Sequence, residues 1–163
     1  MAHNTLCIDK MDQSEQLGPF LWGKKAKTYV NKLSLSDNFI KAYHTGYKSI
    51  QAIHTREIKL GDKLTISDEI SGKGKHFLDF RFHLHPDVEI YSEENQYLIL
   101  RQEDVQIKLN SPRDLFLEKI SASKDGGWYS PQFNVKVPTT TLSYQKRLSL
   151  PTKQIFSIEF KKI

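Results

Sequence analysis

The chain has 163 residues, and its 24 Lys and Arg against 19 Asp and Glu give a formal net charge of +5. The contents of 26% charged and 38% hydrophobic residues are ordinary for a single globular domain, which excludes a disordered chain. No apolar run approaches the roughly 20 residues that a membrane-spanning helix needs, so no membrane partner is predicted. The positive charge favours an anionic partner without identifying one.

The first predicted element is a short apolar strand in TLCID, which an HNT triplet at residues 3–5 directly precedes. The single cysteine, Cys7, lies in this strand and is predicted to be a small buried residue, not a nucleophile. Charged residues at positions 9, 10, 12 and 15 interrupt any apolar core of a signal peptide, so no export signal is expected. The one candidate for a helical turn covers residues 12–17.

Alternating apolar and polar residues then predict a series of strands along the rest of the chain. In HFLDFRFHLH, residues 76–85, Leu78, Phe80 and Phe82 share one face while Asp79 and Arg81 share the other. The segment before it, KLTISDEI, has the same period, and SGKGK between them predicts a β-hairpin. Further strands are predicted within residues 27–35, 49–60, 88–102, 105–110, 115–123, 139–150 and 153–162. Their spacing predicts an all-β fold, an antiparallel two-layer β-sandwich.

Histidines are the first candidates for metal binding or acid–base chemistry, and they occupy positions 3, 44, 54, 76, 83 and 85. His83 and His85 lie two residues apart on the polar side of a predicted strand, which suits either two metal ligands or a solvated sheet face. His44 lies between Tyr43 and Tyr47, a cluster that suits either sugar binding or a packed turn. No nucleophile elbow, phosphate-binding loop or nucleic-acid-binding motif occurs, so no nucleic-acid partner is predicted.

Several short motifs occur in a defined order along the chain. They lie in AHNTLCIDKMDQSEQLGPF at residues 2–20, in AYHTGYKSIQAIHTREIKLGDKLTISDEISGKGKHFLDFRFHLHPDVEI at 42–90 and in GGWYSPQFNVKVPTTTL at 126–142. Together they resemble the C-terminal β-domain of the heparinase II/III-like polysaccharide lyases. The resemblance covers nearly the whole chain and implies one domain, residues 1–163, that is partial relative to the full family domain.

The resemblance implies a two-part parent enzyme, in which a helical toroid supplies much of the sugar cleft and the β-sandwich packs against it. Such lyases cleave acidic polysaccharides by β-elimination, in which a base removes the proton α to a uronic-acid carboxyl group. The catalytic Asn, His and Tyr of the family lie in and beside the toroid, so no catalytic residue is expected in this chain. Members of the family are typically periplasmic or secreted, and the compartment of this chain is left open.

The resemblance also implies a metal. The family sandwich holds zinc through a histidine of an H-x-H-x-D strand, an aspartate of a D-x-G turn and the histidine of the HNT element. His3 matches the last ligand, and the other two would precede residue 1, so no tightly bound zinc is expected here. Arg56 and Asp68 are expected as paired polar residues inside or at the rim of the large sheet.

Substrate contacts are predicted at His44, Tyr47 and Trp128, although for Trp128 a plug in the core or at the sandwich edge is favoured over direct sugar stacking. The leading hypothesis is a C-terminal module of a polysaccharide lyase that supports the substrate cleft and is inactive alone. The alternative is a free-standing β-sandwich that binds carbohydrate or, through its charge, polyanions in general.

Overall fold

The computed structural model describes residues 3–18, 21–124 and 126–163, which form an antiparallel β-sandwich. The all-β prediction is confirmed. The strands in chain order are β1 (Leu6–Ile8), β2 (Gln16–Gly18), β3 (Leu21–Trp22), β4 (Thr28–Ser34), β5 (Phe39–His44), β6 (Ile53–Leu60), β7 (Leu64–Ser71), β8 (Lys75–His83), β9 (Glu89–Glu94), β10 (Tyr97–Gln102), β11 (Val105–Asn110), β12 (Phe116–Ile120), β13 (Trp128–Tyr129), β14 (Val137–Pro138), β15 (Thr141–Ser149) and β16 (Thr152–Lys162). One 3₁₀ turn, Lys48–Ile50, precedes β6. No helix in this part of the chain is long and apolar enough to cross a membrane.

Two sheets form the layers. The small sheet has the strand order β1-β8-β15-β12, and the large sheet has the order β4-β5-β6-β7-β16-β11-β10-β9. β2 pairs with β3, and β13 pairs with β14, in two short ribbons beside the sandwich. β1 has three residues and forms one edge of the small sheet, so the HNT triplet directly precedes an edge strand.

The core lies between the sheets because the apolar rows of their strands face each other. Phe156 of β16 is fully buried, and its ring centroid lies 5.6 Å from Phe80, 5.0 Å from Phe82 and 5.3 Å from Tyr144. These partners belong to β8 and β15 of the small sheet, so one aromatic cluster joins the two layers.

The predicted hairpin between residues 63–70 and 76–85 is wrong. β7 pairs with β6 and β16 in the large sheet, whereas β8 pairs with β1 and β15 in the small one. Residues 72–74 therefore carry the chain from one layer to the other, and Gly72 and Gly74 both adopt positive φ there. The period of two fixes the buried face of a strand but not its partner. β16, which pairs with β7 at seven positions, decides the pairing.

Candidate functional site

The HNT triplet is tied to the small sheet by backbone contacts. The His83 N–H donates to Asn4 Oδ1 at 2.7 Å, and the Arg81 N–H donates to the Thr5 carbonyl at 3.0 Å. The Thr5 N–H donates to the His3 carbonyl at 2.9 Å and closes a tight turn. The segment is therefore held at Asn4 and Thr5, while the His3 side chain stays exposed.

Arg56 connects this segment to the large sheet. Its Nη1 donates to the Asn4 carbonyl at 2.6 Å, and its Nε and Nη2 donate to the two carboxylate oxygens of Asp68 at 2.7 and 2.8 Å. The strand register places Arg56 of β6 opposite Asp68 of β7, and the two-point pairing fixes the plane of the guanidinium group. Asp68 is fully buried. The structure thus confirms the expected Arg56–Asp68 pair and shows that it positions Asn4.

Two histidines extend this pair into a hydrogen-bonded chain with a defined direction. The Gly46 N–H donates to His44 Nδ1 at 3.1 Å, so the His44 proton lies on Nε2. His44 Nε2 then donates to His54 Nδ1 at 3.2 Å, which leaves the His54 proton on Nε2. His54 Nε2 donates to Asp68 Oδ1 at 2.7 Å. Both ring nitrogens of His44 and of His54 have a hydrogen-bond partner, and the Asp68 carboxylate is the final acceptor in this series.

The electrostatics agree with this proton arrangement. Burial, followed by the neighbouring His54 and Arg56, lowers the pKa of His44 to about 4. Burial alone would raise the pKa of Asp68, but hydrogen bonds from Arg56 and His54 outweigh it and hold the pKa below its ordinary value. At neutral pH, His44 is therefore uncharged and Asp68 is ionised.

His83 is a second histidine beside the HNT triplet. Its Nδ1 lies 2.8 Å from Thr141 Oγ1, which also accepts the Gly127 N–H at 3.0 Å. Its Nε2 is buried without a hydrogen-bond partner among the described residues. Burial and the charge of Arg81 lower the pKa of His83, and the His3 backbone opposes that shift. His83 is half-buried against the triplet and does not lie on a solvated sheet face.

A cavity of about 300 Å³, which we call the His3 cavity, opens beside the triplet. Its walls include His3, Arg81, Asp12, Gln13 and Trp22. Gln13 Nε2 donates to Thr5 Oγ1 at 2.8 Å, while the Trp22 side chain is 49% exposed. An aromatic ring beside amide, carboxylate and guanidinium groups suits a sugar, because it offers an apolar face and planar hydrogen-bonding groups together.

The residues present do not form a complete zinc site. Within residues 3–18, 21–124 and 126–163, no three His, Cys, Asp or Glu side chains come close enough to share a metal ion. Cys7 offers no thiolate, since burial raises the pKa of its thiol to about 11. His85 is exposed and contacts Tyr129 edge-on, with ring centroids 4.8 Å apart, so its surroundings differ from those of His83.

The three predicted substrate-contact residues separate into two places. His44 and Tyr47 are neighbours, with ring centroids 5.4 Å apart, but Tyr47 is 1% exposed and its hydroxyl donates to the Leu6 carbonyl at 2.8 Å. Trp128 lies in the β13–β14 ribbon, where its Nε1 donates to the Ser123 carbonyl and Lys136 Nζ lies 3.9 Å from its ring centroid. Their contact with a sugar stays a prediction.

Sequence reasoning did not assign His54 and Trp22 to the site. His54 and Arg56 are two residues apart on one strand and therefore share a face, a signal that the sequence does contain. Trp22 reaches the His3 cavity through the short β2–β3 ribbon, and no periodicity predicts that approach.

A protein-family model matches most of the chain. Residues 1–158 match the family model described as heparinase II/III-like, C-terminal. Comparison with curated proteins gives no match.

Three solved structures are similar in fold. A heparinase III has a TM-score of 0.74 and 19% identity, over 98% of this chain and 24% of that one. A heparan sulfate lyase, HepC from Pedobacter heparinus, has a TM-score of 0.73 and 14% identity, over 99% of this chain and 24% of that one. A further heparinase III structure has a TM-score of 0.63 and 11% identity, over 99% of this chain and 23% of that one. The chain spans about a quarter of the length of these proteins.

Proposed function

Because the chain belongs to the heparinase II/III-like C-terminal family, we propose that it is the β-sandwich part of a polysaccharide lyase and acts with a helical toroid domain. The observation that carries the proposal is the match over residues 1–158, together with a fold shared with solved lyases about four times longer. The sandwich braces one side of the sugar cleft, and the reacting groups come from the toroid.

The proposed substrate is an acidic, uronic-acid-containing polysaccharide, cleaved by β-elimination in the assembled enzyme. The formal charge of +5 supports this class, as do the sugar-compatible walls of the His3 cavity. Arg56 acts as a positioning residue, since it holds the Asn4 carbonyl and so fixes the wall that carries His3. Correct placement of such a wall matters because productive binding tolerates little displacement of the sugar.

The proposed docking surface for the toroid is the β2–β3 ribbon. Leu17 and Leu21 of this ribbon are 59% and 57% exposed, and the ribbon borders the His3 cavity. Exposed apolar residues next to a polar cavity favour a protein partner that also closes the cavity. Zinc is proposed to bind only in the assembled enzyme, with His3 and donors outside this chain; no step of the reaction is assigned to it.

Co-purification tests this assembly. The chain is expressed together with the polypeptide in its own gene neighbourhood that encodes the helical domain and the sandwich strands with the other zinc ligands. The complex is isolated through a tag on that polypeptide. Leu21→Ser should reduce recovery of the chain, because docking then buries a hydroxyl in place of an apolar group. Leu33→Ser, at an equally exposed site in β4, should not. Zinc should be stoichiometric in the complex and absent from the chain alone; equal recovery of both variants, or tight zinc in the isolated chain, contradicts the proposal.

A further inference from the structure

The small sheet carries a second and larger cavity on the face that points away from the core. This open groove has a volume of about 930 Å³, which lies within the range of ligand sites. β8 and β15 form its floor, β12 and the following residues 121–123 form one wall, and Asp9 and Lys10 at the end of β1 form the other. We call it the outer groove, and the proposed function does not use it.

Strand register builds the floor of the outer groove from polar side chains. Opposite residues in β8 and β15 are Asp79 with Gln145 and Arg81 with Ser143, all on the face away from the core. Arg81 Nε donates to Asp79 Oδ2 at 2.7 Å, and Ser143 Oγ donates to the other Asp79 oxygen. Gln145 Nε2 donates to Ser143 Oγ at 2.8 Å and also to Glu118 of β12. The floor is thus a continuous hydrogen-bonded row, and its side chains are held in place by their own contacts.

The charges along the outer groove are unequal. At the β1 end, both oxygens of Asp9 are engaged, one by the Phe77 N–H at 2.9 Å and one by His76 Nδ1 at 2.6 Å. The exposed Lys10 and Arg147 lie at the same end and form no ion pair within the described part of the chain. Burial alone would raise the pKa of Asp9, but the hydrogen bonds from His76 and Phe77 lower it, and the nearby charge of Arg147 adds a smaller lowering effect. The two cations outnumber the single Asp9 carboxylate, so this end of the outer groove carries a net positive charge.

The opposite wall has a different chemistry. Within the described part of the chain, Glu118 is paired with the neutral Gln145 amide, while Lys119 on the same wall is paired with Glu93. The Glu118 carboxylate therefore retains capacity to accept further hydrogen bonds. A ligand that spans the groove must therefore present anionic groups at one end and hydroxyl donors at the other. Acidic sugars combine both groups on each repeat unit, whereas the phosphodiester backbone of DNA has no hydroxyl group that could donate to Glu118.

We infer that the outer groove is a non-catalytic binding site for an acidic oligosaccharide, whose carboxylate or sulfate groups contact Lys10 and Arg147 while its hydroxyl groups contact Glu118 and Gln145. The ligand class rests on the proposed function, but of the lining residues that the structure describes, the outer groove shares Arg81 alone with the His3 cavity. Such a site holds a polymer on the sandwich independently of cleavage.

Calorimetric titration of the 163-residue chain tests the inference. The probes are an alginate-derived hexasaccharide, a heparin-derived hexasaccharide, a neutral cello-oligosaccharide and single-stranded DNA of similar length. Binding of at least one acidic sugar is expected, with little binding of the neutral sugar. The double variant Lys10→Gln/Arg147→Gln should weaken the binding by about tenfold or more, because two charge-assisted contacts are lost.

A matched control separates specific contacts from overall charge. Lys59→Gln/Lys153→Gln removes the same charge from exposed positions in the large sheet and should change the affinity less than about twofold. Equal weakening in the two double variants overturns the inference. The inference is also overturned if DNA binds as tightly as the acidic sugar. It is overturned as well if no acidic sugar binds to a chain that circular dichroism shows to be folded.

Amide chemical shifts of the unmodified chain locate the sugar directly. Shifts upon titration are expected at residues 118–123 and 145–147 and not in β4 and β5. Shifts confined to the residues around the His3 cavity overturn the inference and leave the proposed function intact. Failure to co-purify with the helical domain, in contrast, refutes the proposed function and leaves the groove measurement unaffected.

Discussion

Asp68 is connected to the HNT triplet through Arg56. Its buried carboxylate accepts two hydrogen bonds from Arg56 and one from His54, and Arg56 in turn holds the Asn4 carbonyl. A buried ion pair contributes little to stability relative to an apolar pair, but removing one partner leaves the other charge uncompensated. The pair is therefore better understood as a positioning device than as a source of stability.

Replacing this carboxylate tests the arrangement. Asp68→Asn should lower the free energy of unfolding by about 3 kcal/mol, because the Arg56 charge loses its counterion and His54 loses its acceptor. Urea unfolding measures the change, with Asp62→Asn, at an exposed position in the β6–β7 turn, as the matched control. A loss below about 1 kcal/mol for Asp68→Asn would show that the network is not coupled to folding.

His44 predicts a specific pH dependence. Its pKa falls from 6.5 to about 4 on folding, so between these values the unfolded chain binds a proton that the folded chain does not. The free energy of unfolding should therefore fall as the pH falls from 6.5 toward 4. The slope is at most about 1.4 kcal/mol per pH unit, and it should be smaller than this limit because the ring is partly solvated.

Variants isolate this contribution. His44→Gln should flatten the pH dependence of the free energy of unfolding between pH 6.5 and 4. His85→Gln, at an exposed ring, should leave this dependence unchanged. Denaturant unfolding across the window provides the slopes. The same slope in the unmodified chain and in His44→Gln would refute the assignment of His44 as a neutral member of the network.

At the scale of the strands, the sequence determines faces better than partners. The alternation in β8 correctly separated Phe80 from Asp79, and the resulting core follows from it. Pairing of β7 with β16 joins segments about ninety residues apart, and no local pattern carries that information. A short glycine-containing connection is compatible with a hairpin and with a crossing between layers alike, which is why the hairpin prediction failed.

The sequence patterns also fail to predict sites that depend on which strands pair. The Arg56–Asp68 pair was expected because the family resemblance implies that the two strands carrying these residues are adjacent in the large sheet. The outer groove was not, because its floor requires the register of β8 against β15, where Asp79 meets Gln145. Cavities that non-local pairing assembles become visible only in the folded chain.

The central position of β16 gives a prediction about packing. Phe156→Ala should reduce the free energy of unfolding by about 3–5 kcal/mol, since the ring is fully buried among three aromatic neighbours in the opposite sheet. Ile155→Ala, at the adjacent and 51% exposed position, should cost no more than about 1 kcal/mol. Thermal or urea unfolding compares the two variants. Similar losses at both positions would contradict the described layer packing.

At the scale of the whole molecule, the two sheets meet at the HNT triplet through residues of both layers. Arg56 of the large sheet holds Asn4, and His83 of the small sheet holds the Asn4 side chain. The His3 cavity therefore depends on the relative position of the layers and not on one loop. Such a rigid border suits a module whose role is to present one wall of a cleft to a second domain.

The direct measurement of the proposed role is lyase activity, followed by the ultraviolet absorbance of the unsaturated uronate product on heparin, heparan sulfate and alginate. The 163-residue chain alone should form no product, because the proposed reacting groups belong to the helical domain. The assembly with that domain should form product from at least one of the three. Turnover by the isolated chain, or an assembled complex that cleaves no acidic polysaccharide, would contradict the account.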